Sequence, residues 1–270
     1  KYCVTEKADG QRCILFVDKK GKIYLISYNL KVMFTGCTTT EKKCFNSIVD
    51  GEFLMHGKQG KRIFLFAAFD IYYFGGLDKN ANVRSLPFTS DIEVDENEDP
   101  SRLSLLHKFH GLLDMKQIAD NNTCKFQFRV KHFIVAKTNE ITIFEASSRI
   151  WNDRHVGYDY EVDGLIYTPI HTGVGGYTAK ESNDITKMVV SKERFTWNIS
   201  YKWKPPEFNT IDFLIEIVKD DDGQEQVKNY IYSDENVADH VVAFKTLKLY
   251  VGHNANAKEI INPFYSTLHD

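Results

Sequence analysis

The chain has 270 residues, 43% hydrophobic and 26% charged, a balance that supplies a proper core for one large or two modest domains. A formal net charge of −3 argues against a protein that wraps duplex DNA by bulk electrostatics, though it leaves room for a local basic groove. No apolar run approaches the ~18 residues of a membrane-spanning helix, and no signal-peptide pattern opens the chain. Aromatic residues, at 13%, lean toward β-rich structure. Cysteines stand at 3, 13, 37, 44 and 124, an odd number with no Cys-x-x-Cys and no histidine placed to complete a zinc site. They read as free thiols in a reducing compartment. The first residue is lysine rather than methionine, so the sequence reads as a segment of a longer polypeptide.

In chain order, the first feature is Lys7-Ala8-Asp9-Gly10-Gln11-Arg12, set between an extended stretch and an apolar strand at Cys13–Val17. A lysine at a strand end, a Gly-containing turn and a cation two residues beyond is a sensible way to hold an amine against a phosphate. The competing reading is a solvated lysine beside an Asp-Gly hairpin turn. Cys13–Val17 and Ile23–Ser27 read as a hairpin, followed by an extended stretch Leu30–Thr35 that ends at Gly36. A second hairpin joins Ile48–His56 to Arg62–Phe74, whose apolar density predicts a strand buried on both faces.

Residues 91–99 read as a solvated acidic connector rather than a binding site. Asp99-Pro100 then predicts a helix start, and Leu103, Leu106, Phe109, Leu113 and Ile118 carry an amphipathic helix over 100–119. His107 and His110, one turn apart on it, read as surface residues rather than metal ligands. Lys125–Val135 alternates as a half-buried strand, and 144–153 predicts a short helix packing Phe144, Ile150 and Trp151. Tyr160–Thr168, a stretch near Lys187–Val190 and Trp197–Lys204 read as strands, and the Gly-rich loop 169–178 as a connector. Pro205-Pro206 makes a joint. Beyond it, Thr210–Lys219 and Gln226–Ser233 flank an Asp-Asp-Asp-Gly turn, and with Thr246–Val251 they read as the start of a small β-barrel.

Lys-x-Asp-Gly-x-Arg resembles the nucleophile motif of the covalent nucleotidyltransferases, the capping guanylyltransferases and polynucleotide ligases. Four further blocks resemble theirs in order: Val49-Asp50-Gly51-Glu52, Ala68-Phe69-Asp70-Ile71, Glu161-Val162-Asp163-Gly164 and Tyr201-Lys202-Trp203-Lys204-Pro205. Taken singly each is weak, because Asp-Gly is a turn signal, Phe69 passes for core and Lys-x-Lys is commonly one solvated strand face. Asp163-Gly164 where ligases carry Glu-Gly, and Lys-Trp-Lys-Pro running into Asn209-Thr210-Ile211-Asp212-Phe213, place the resemblance with mRNA capping guanylyltransferases. The flavour is that of the multifunctional capping enzymes of large cytoplasmic DNA viruses.

The resemblance implies an α+β fold of packed antiparallel sheets and flanking helices over 1–205, with 206–270 as the start of an incomplete OB-fold. It implies that Lys7 is the nucleophile toward GTP, forming lysyl-GMP that passes to a 5′-diphosphate RNA end. Arg12 and Glu52 would then hold the ribose and nearby phosphate, Phe69 would stack on guanine, and Glu6 would help line the base pocket. Lys202 and Lys204 would clamp the α-phosphate, and Asp163 with Glu161 would hold Mg²⁺ or Mn²⁺. Nearby cations would also disfavour the protonated form of Lys7. Further implications are triphosphatase and methyltransferase domains in the same polypeptide, no membrane partner, and a cytoplasmic site in an infected cell, with packaging in virions. The family's sixth motif, a late Arg-x-Asp-Lys stretch, is not visible in this sequence. Two alternatives stand beside this reading: an ATP-dependent RNA or DNA ligase, and a non-catalytic nucleotide- or RNA-binding module.

Overall fold

The first two strands, β1 (Tyr2–Ala8) and β2 (Gln11–Val17), are separated only by Asp9 and Gly10, yet they belong to different sheets. The Asp-Gly hairpin reading is thereby excluded, because Asp9-Gly10 carries the chain from one sheet to the other. Gly10 is required for space, since a Cβ there would stand 2.9 Å from both Glu52 Cγ and Leu54 Cδ2. The computed structural model describes residues 1–77, 81–89, 100–118, 125–136, 140–176, 199–210, 213–234 and 237–250. The acidic stretch 91–99, Cys124, the strand expected at Lys187–Val190 and Trp197 lie outside them.

β2 and β3 (Lys22–Ser27) form the expected hairpin, with Cys13 opposite Ser27. β4 (Val32–Thr39) runs on through Gly36, where a φ of +77° accompanies a slip in register with β3 instead of ending the strand. β5 (Ser47–His56) and β6 (Arg62–Tyr73) pair as the second hairpin, and β6 buries Leu65, Phe66, Ala67 and Ala68 in succession. The first helix, α1 (Arg102–Leu112), is shorter than the periodicity suggested. Ser101 caps it, its hydroxyl accepting from the backbone N of Ser104. The residues expected to continue the helix form β7 (Met115–Gln117), paired with β4, and Ile118 is exposed.

The single strand expected over 125–135 is two. β8 (Gln127–Val130) pairs parallel with β6, a departure from the expected antiparallel pattern, and β9 (Ile134–Val135) crosses to the smaller sheet. Next, α2 (Ile143–Asp153) is closed by a reciprocal cap between Thr142 and Glu145. It buries Ala146 and Ile150, whereas Phe144 is exposed, contrary to expectation. β10 (Val162–Pro169) and β11 (Tyr201–Trp203) complete this unit, which ends at Phe208.

The seven-stranded sheet has the order β7-β4-β3-β2-β5-β6-β8, and the four-stranded sheet β11-β10-β1-β9. Leu105, Leu106 and Phe109 of α1 cover one face of the larger sheet, packing on Leu15, Leu25, Val49 and Phe66. Arg102 is fully buried there, its Nε 2.8 Å from Asp70 Oδ1. On the other face, Leu54, Leu65 and Ala67 pack against Ala8, Tyr160 and Val162 of the smaller sheet's side. Toward β2, β3 and β4 that second face opens, leaving Ile14, Tyr24 and Ile26 half-buried.

The second unit, from Asn209, has β12 (Leu214–Ile217) paired with β15 (Leu247–Tyr250), and β13 (Val227–Asp234) paired with β14 (Val237–Lys245). The strands flanking the Asp-Asp-Asp-Gly turn therefore do not pair with each other as a hairpin. They meet only at a bridge between Lys219 and Glu225. Among the described residues the chain is mostly sheet with two α-helices.

Candidate active site

Lys7 lies near the end of β1, opposite Gly164 of β10, where a bulge between Lys7 and Ala8 breaks the ladder. Its Nζ donates to both oxygens of Asp163, at 2.7 and 2.9 Å. Lys204, just past β11, approaches the same carboxylate at 2.7 Å from Oδ2. Three residues from three separate motifs thus meet on β10, which lies between β1 and β11. Gly164 permits the meeting: a Cβ there would stand 2.0 Å from the carbonyl oxygen of Trp203, so only glycine lets β11 approach. Burial raises the Asp163 carboxyl, but hydrogen bonds from Lys204 and Lys7 outweigh it and hold the group below its ordinary range. The bond to Asp163 in turn raises the Lys204 ammonium above its ordinary value. Lys202, two residues earlier and so on the same strand face, is exposed.

Arg12 faces Glu52 in register between β2 and β5. Its guanidinium nevertheless binds Asp50, with Nε 3.2 Å from Oδ1 and Nη2 2.6 Å from Oδ2. Asp50 is fully buried and also accepts from the Tyr72 hydroxyl, so Arg12 is held on one side by a fixed carboxylate. This partner was missed in the sequence, although a carboxylate amid a buried strand demands one. Gly51 beside it is again a packing glycine, since a Cβ would lie 2.4 Å from the Phe66 ring. Burial pushes the Glu52 carboxyl above its ordinary range, opposed by Lys131, Lys7 and Arg12.

Phe69 is half-buried between two cations, with Arg12 Cζ 5.8 Å and Lys131 Nζ 5.9 Å from its ring centroid. Lys131 is 4% exposed and was also missed, because Gln127, Arg129 and Lys131 alternate like a solvated strand face. β8 ends at Val130, and the Lys131 side chain turns inward to donate to the Glu6 carbonyl at 2.5 Å. The Glu6 carboxylate is fully buried: Tyr160 donates to Oε1 at 2.8 Å, Lys131 Nζ lies 3.4 Å away, and the Thr5 hydroxyl donates to Oε2 at 2.7 Å. Glu6 therefore fixes Lys131 near Phe69.

Glu161 presents an exposed side chain two residues before Asp163, and its carbonyl accepts from the Asp9 amide at 3.0 Å. Among the described residues no group of three or more His, Cys, Asp or Glu side chains converges. Asp163 and Glu161 offer oxygen donors of the kind an ion such as Mg²⁺ takes, one or two carboxylates with water and substrate phosphates completing its shell. The His110 ring lies 5.4 Å from that of Phe128. Cys3, Cys13, Cys37 and Cys44 are free and buried, and burial raises the Cys3 and Cys44 thiols to about 12.

Comparison with known proteins is consistent with this arrangement. The family described as mRNA capping enzyme, catalytic domain, matches residues 1–190. A probable mRNA-capping enzyme of Acanthamoeba polyphaga mimivirus is 29% identical over 96% of this chain and 23% of its own length. The mRNA-capping enzyme of Danio rerio is 25% identical over 81% of the chain and 31% of its own length. That of Caenorhabditis elegans is 23% identical over 81% and 30% respectively. The chain thus spans 23% to 31% of the length of these curated relatives. With its motif residues gathered around Asp163 and Phe69, the chain belongs to the mRNA capping enzyme catalytic-domain family.

Proposed function

We propose that this chain is an mRNA guanylyltransferase that takes GMP from GTP onto Lys7 and passes it to the 5′-diphosphate end of an RNA. The observation that carries the reading is the Asp163 carboxylate shared by Lys7 and Lys204. It holds a nucleophilic amine and a second cation at one carboxylate, beside which the α-phosphate would bind.

Guanine would stack on Phe69, beside Lys131 and Arg12, and the ribose would lie toward Arg12 and Glu52. Lys7 must shed a proton to solvent before it attacks. Asp163, held below the ordinary carboxylate range, is a weak base and serves to aim Nζ. The Nζ–P bond forms as the bond from the α-phosphorus to the pyrophosphate oxygen breaks. Lys204 and Lys202 offset the charge on the phosphate oxygens. A Mg²⁺ or Mn²⁺ ion held by Asp163 and Glu161 would supply further charge neutralisation there. In the second half-reaction a terminal oxygen of the RNA diphosphate attacks the same phosphorus and Lys7 leaves. The unit from Asn209 would belong to an OB-fold.

Labelling with GTP or ATP carrying a radioactive α-phosphate, with divalent metal, tests this directly. A GTP label that survives denaturation and vanishes in Lys7→Ala is the expected result. A label from ATP instead would place the chain with the polynucleotide ligases, and nucleotide binding without any covalent label would make it a binding module.

A further inference from the structure

The half-open face of the larger sheet leads away from the site just described. Side chains alternate along strands, and Arg12, Ile14, Tyr24, Ile26, Val32 and Phe34 fall on the same side of β2, β3 and β4 by their pairing. This is the face that carries Arg12 and Glu52. Tyr24 and Phe34 meet across strands with ring centroids 5.4 Å apart, and Lys22 Nζ lies 5.8 Å from the Phe34 centroid. Phe34 is 41% exposed, and Tyr28, at the hairpin tip next to Ser27, is 85% exposed. Ser27 registers with Cys13, so the tip projects at the Arg12 end of the sheet.

The charge here is local and of one sign. Residues 19–40 contain four lysines and no Asp or Glu, in a chain whose acidic residues outnumber Lys and Arg by 37 to 34. Aromatic rings on an open sheet face, flanked by cations, form the kind of platform on which unpaired bases stack while their phosphates find charge. β4 lies two strand spacings from β2, about 10 Å, within reach of a few nucleotides.

We propose that the acceptor RNA leaves the active site across β2, β3 and β4, with bases stacked on Tyr24 and Phe34 and a phosphate beside Lys22. This rests on the guanylyltransferase reading and adds the path of its second substrate. The upper edge of β4, Val32–Phe34, is also unpaired by β7, which reaches only Cys37–Thr39. A protein strand added there would use the backbone of that edge, whereas the cation-bearing rings lie on the sheet face, and it is the face that continues to Arg12.

The test compares GMP transfer to a 5′-diphosphate dinucleotide and to an unstructured oligomer of about ten nucleotides, within the span of one single-strand groove. Phe34→Ala is expected to raise KM for the oligomer by about tenfold, leaving the dinucleotide KM and lysyl-GMP formation unchanged. Lys22→Gln, which leaves the rings in place, should flatten the salt dependence of oligomer binding by roughly 0.7 in log–log slope for the phosphate no longer neutralised. An oligomer KM unchanged in both variants, or a wild type with no preference for the oligomer, would overturn the proposal. Should no lysyl-GMP form, the guanylyltransferase reading fails on its own. Fluorescence anisotropy with the same oligomer then decides the RNA face: weakened binding in the variants keeps it, and equal binding overturns it and leaves the β4 edge to a protein strand.

Discussion

Lys7 and Asp163, 156 residues apart in the chain, are joined by two hydrogen bonds of 2.7 and 2.9 Å. Asp163→Asn removes the charge that aligns Lys7 and Lys204, and misalignment of a nucleophile by about 1 Å can cost 10²-fold. Covalent labelling by GTP should fall by at least about that factor. The folded Asp163 carboxyl lies below its unfolded value, so its contribution to stability is present above the unfolded value of about 3.9 and is lost as pH falls through the folded one. Thermal unfolding of wild type and Asp163→Asn should therefore differ by a constant amount above about pH 4 and converge in more acidic buffer.

Glu52 has the opposite sign. Burial raises its carboxyl, so its contribution to stability is fully present below the unfolded value of about 4.3 and is lost as pH rises through the folded one. In the absence of nucleotide, Glu52→Gln is expected to unfold at a higher temperature than wild type at neutral pH, and at the same temperature in acid. It should also weaken GTP binding, measured by titration calorimetry. A variant that loses stability at neutral pH would contradict this assignment.

Gly164→Ala and Gly36→Ala separate two uses of glycine. The first would push a methyl group to 2.0 Å from the Trp203 carbonyl, forcing β11 and Lys204 away from Asp163. Overpacking of this kind costs about 1–3 kcal/mol, and labelling should be lost with it. The second meets nothing within 4 Å but strains a φ of +77°. It should cost about 1 kcal/mol in denaturant unfolding and leave labelling intact.

Arg102→Met tests the link between α1 and β6. It leaves the Asp70 carboxyl, already raised by burial, without its partner. Breaking a buried pair from one side costs about 3–5 kcal/mol, visible as a lower denaturant midpoint. Asp70→Asn added to Arg102→Met should recover part of the loss, because the uncompensated charge is gone.

The strands were legible because alternation and turn residues are local signals, and the motif blocks because their order resembles that of a known family. The hairpins β2–β3 and β5–β6 and the helix α2 emerged from the local signals. What the sequence concealed depends on distant partners. Asp9-Gly10 reads as a turn in isolation, but its two strands are claimed by different sheets. Lys131 looks solvated until Glu6 and Phe69, far away in the chain, close around it. The end of α1 was misplaced because Met115–Gln117, helical by spacing, gains a ladder with β4 instead. At the site, Lys7, Asp163 and Lys204 were named from their motifs, and their convergence on one carboxylate came only with the fold.

The two-residue passage from β1 to β2 also bears on how this chain tolerates change in length. Lys7 belongs to one sheet and Arg12 to the other, and each sheet fixes its strand through a pairing partner. One residue inserted or deleted between Ala8 and Gln11 would have to be absorbed by a slip in β1 or β2. A slip by one turns every side chain of that strand to the opposite face. A substitution at Asp9 leaves the spacing alone, whereas an added residue moves either Lys7 from Asp163 or Arg12 from Asp50. The count of residues at this crossing is thus as much a part of the site as their identity.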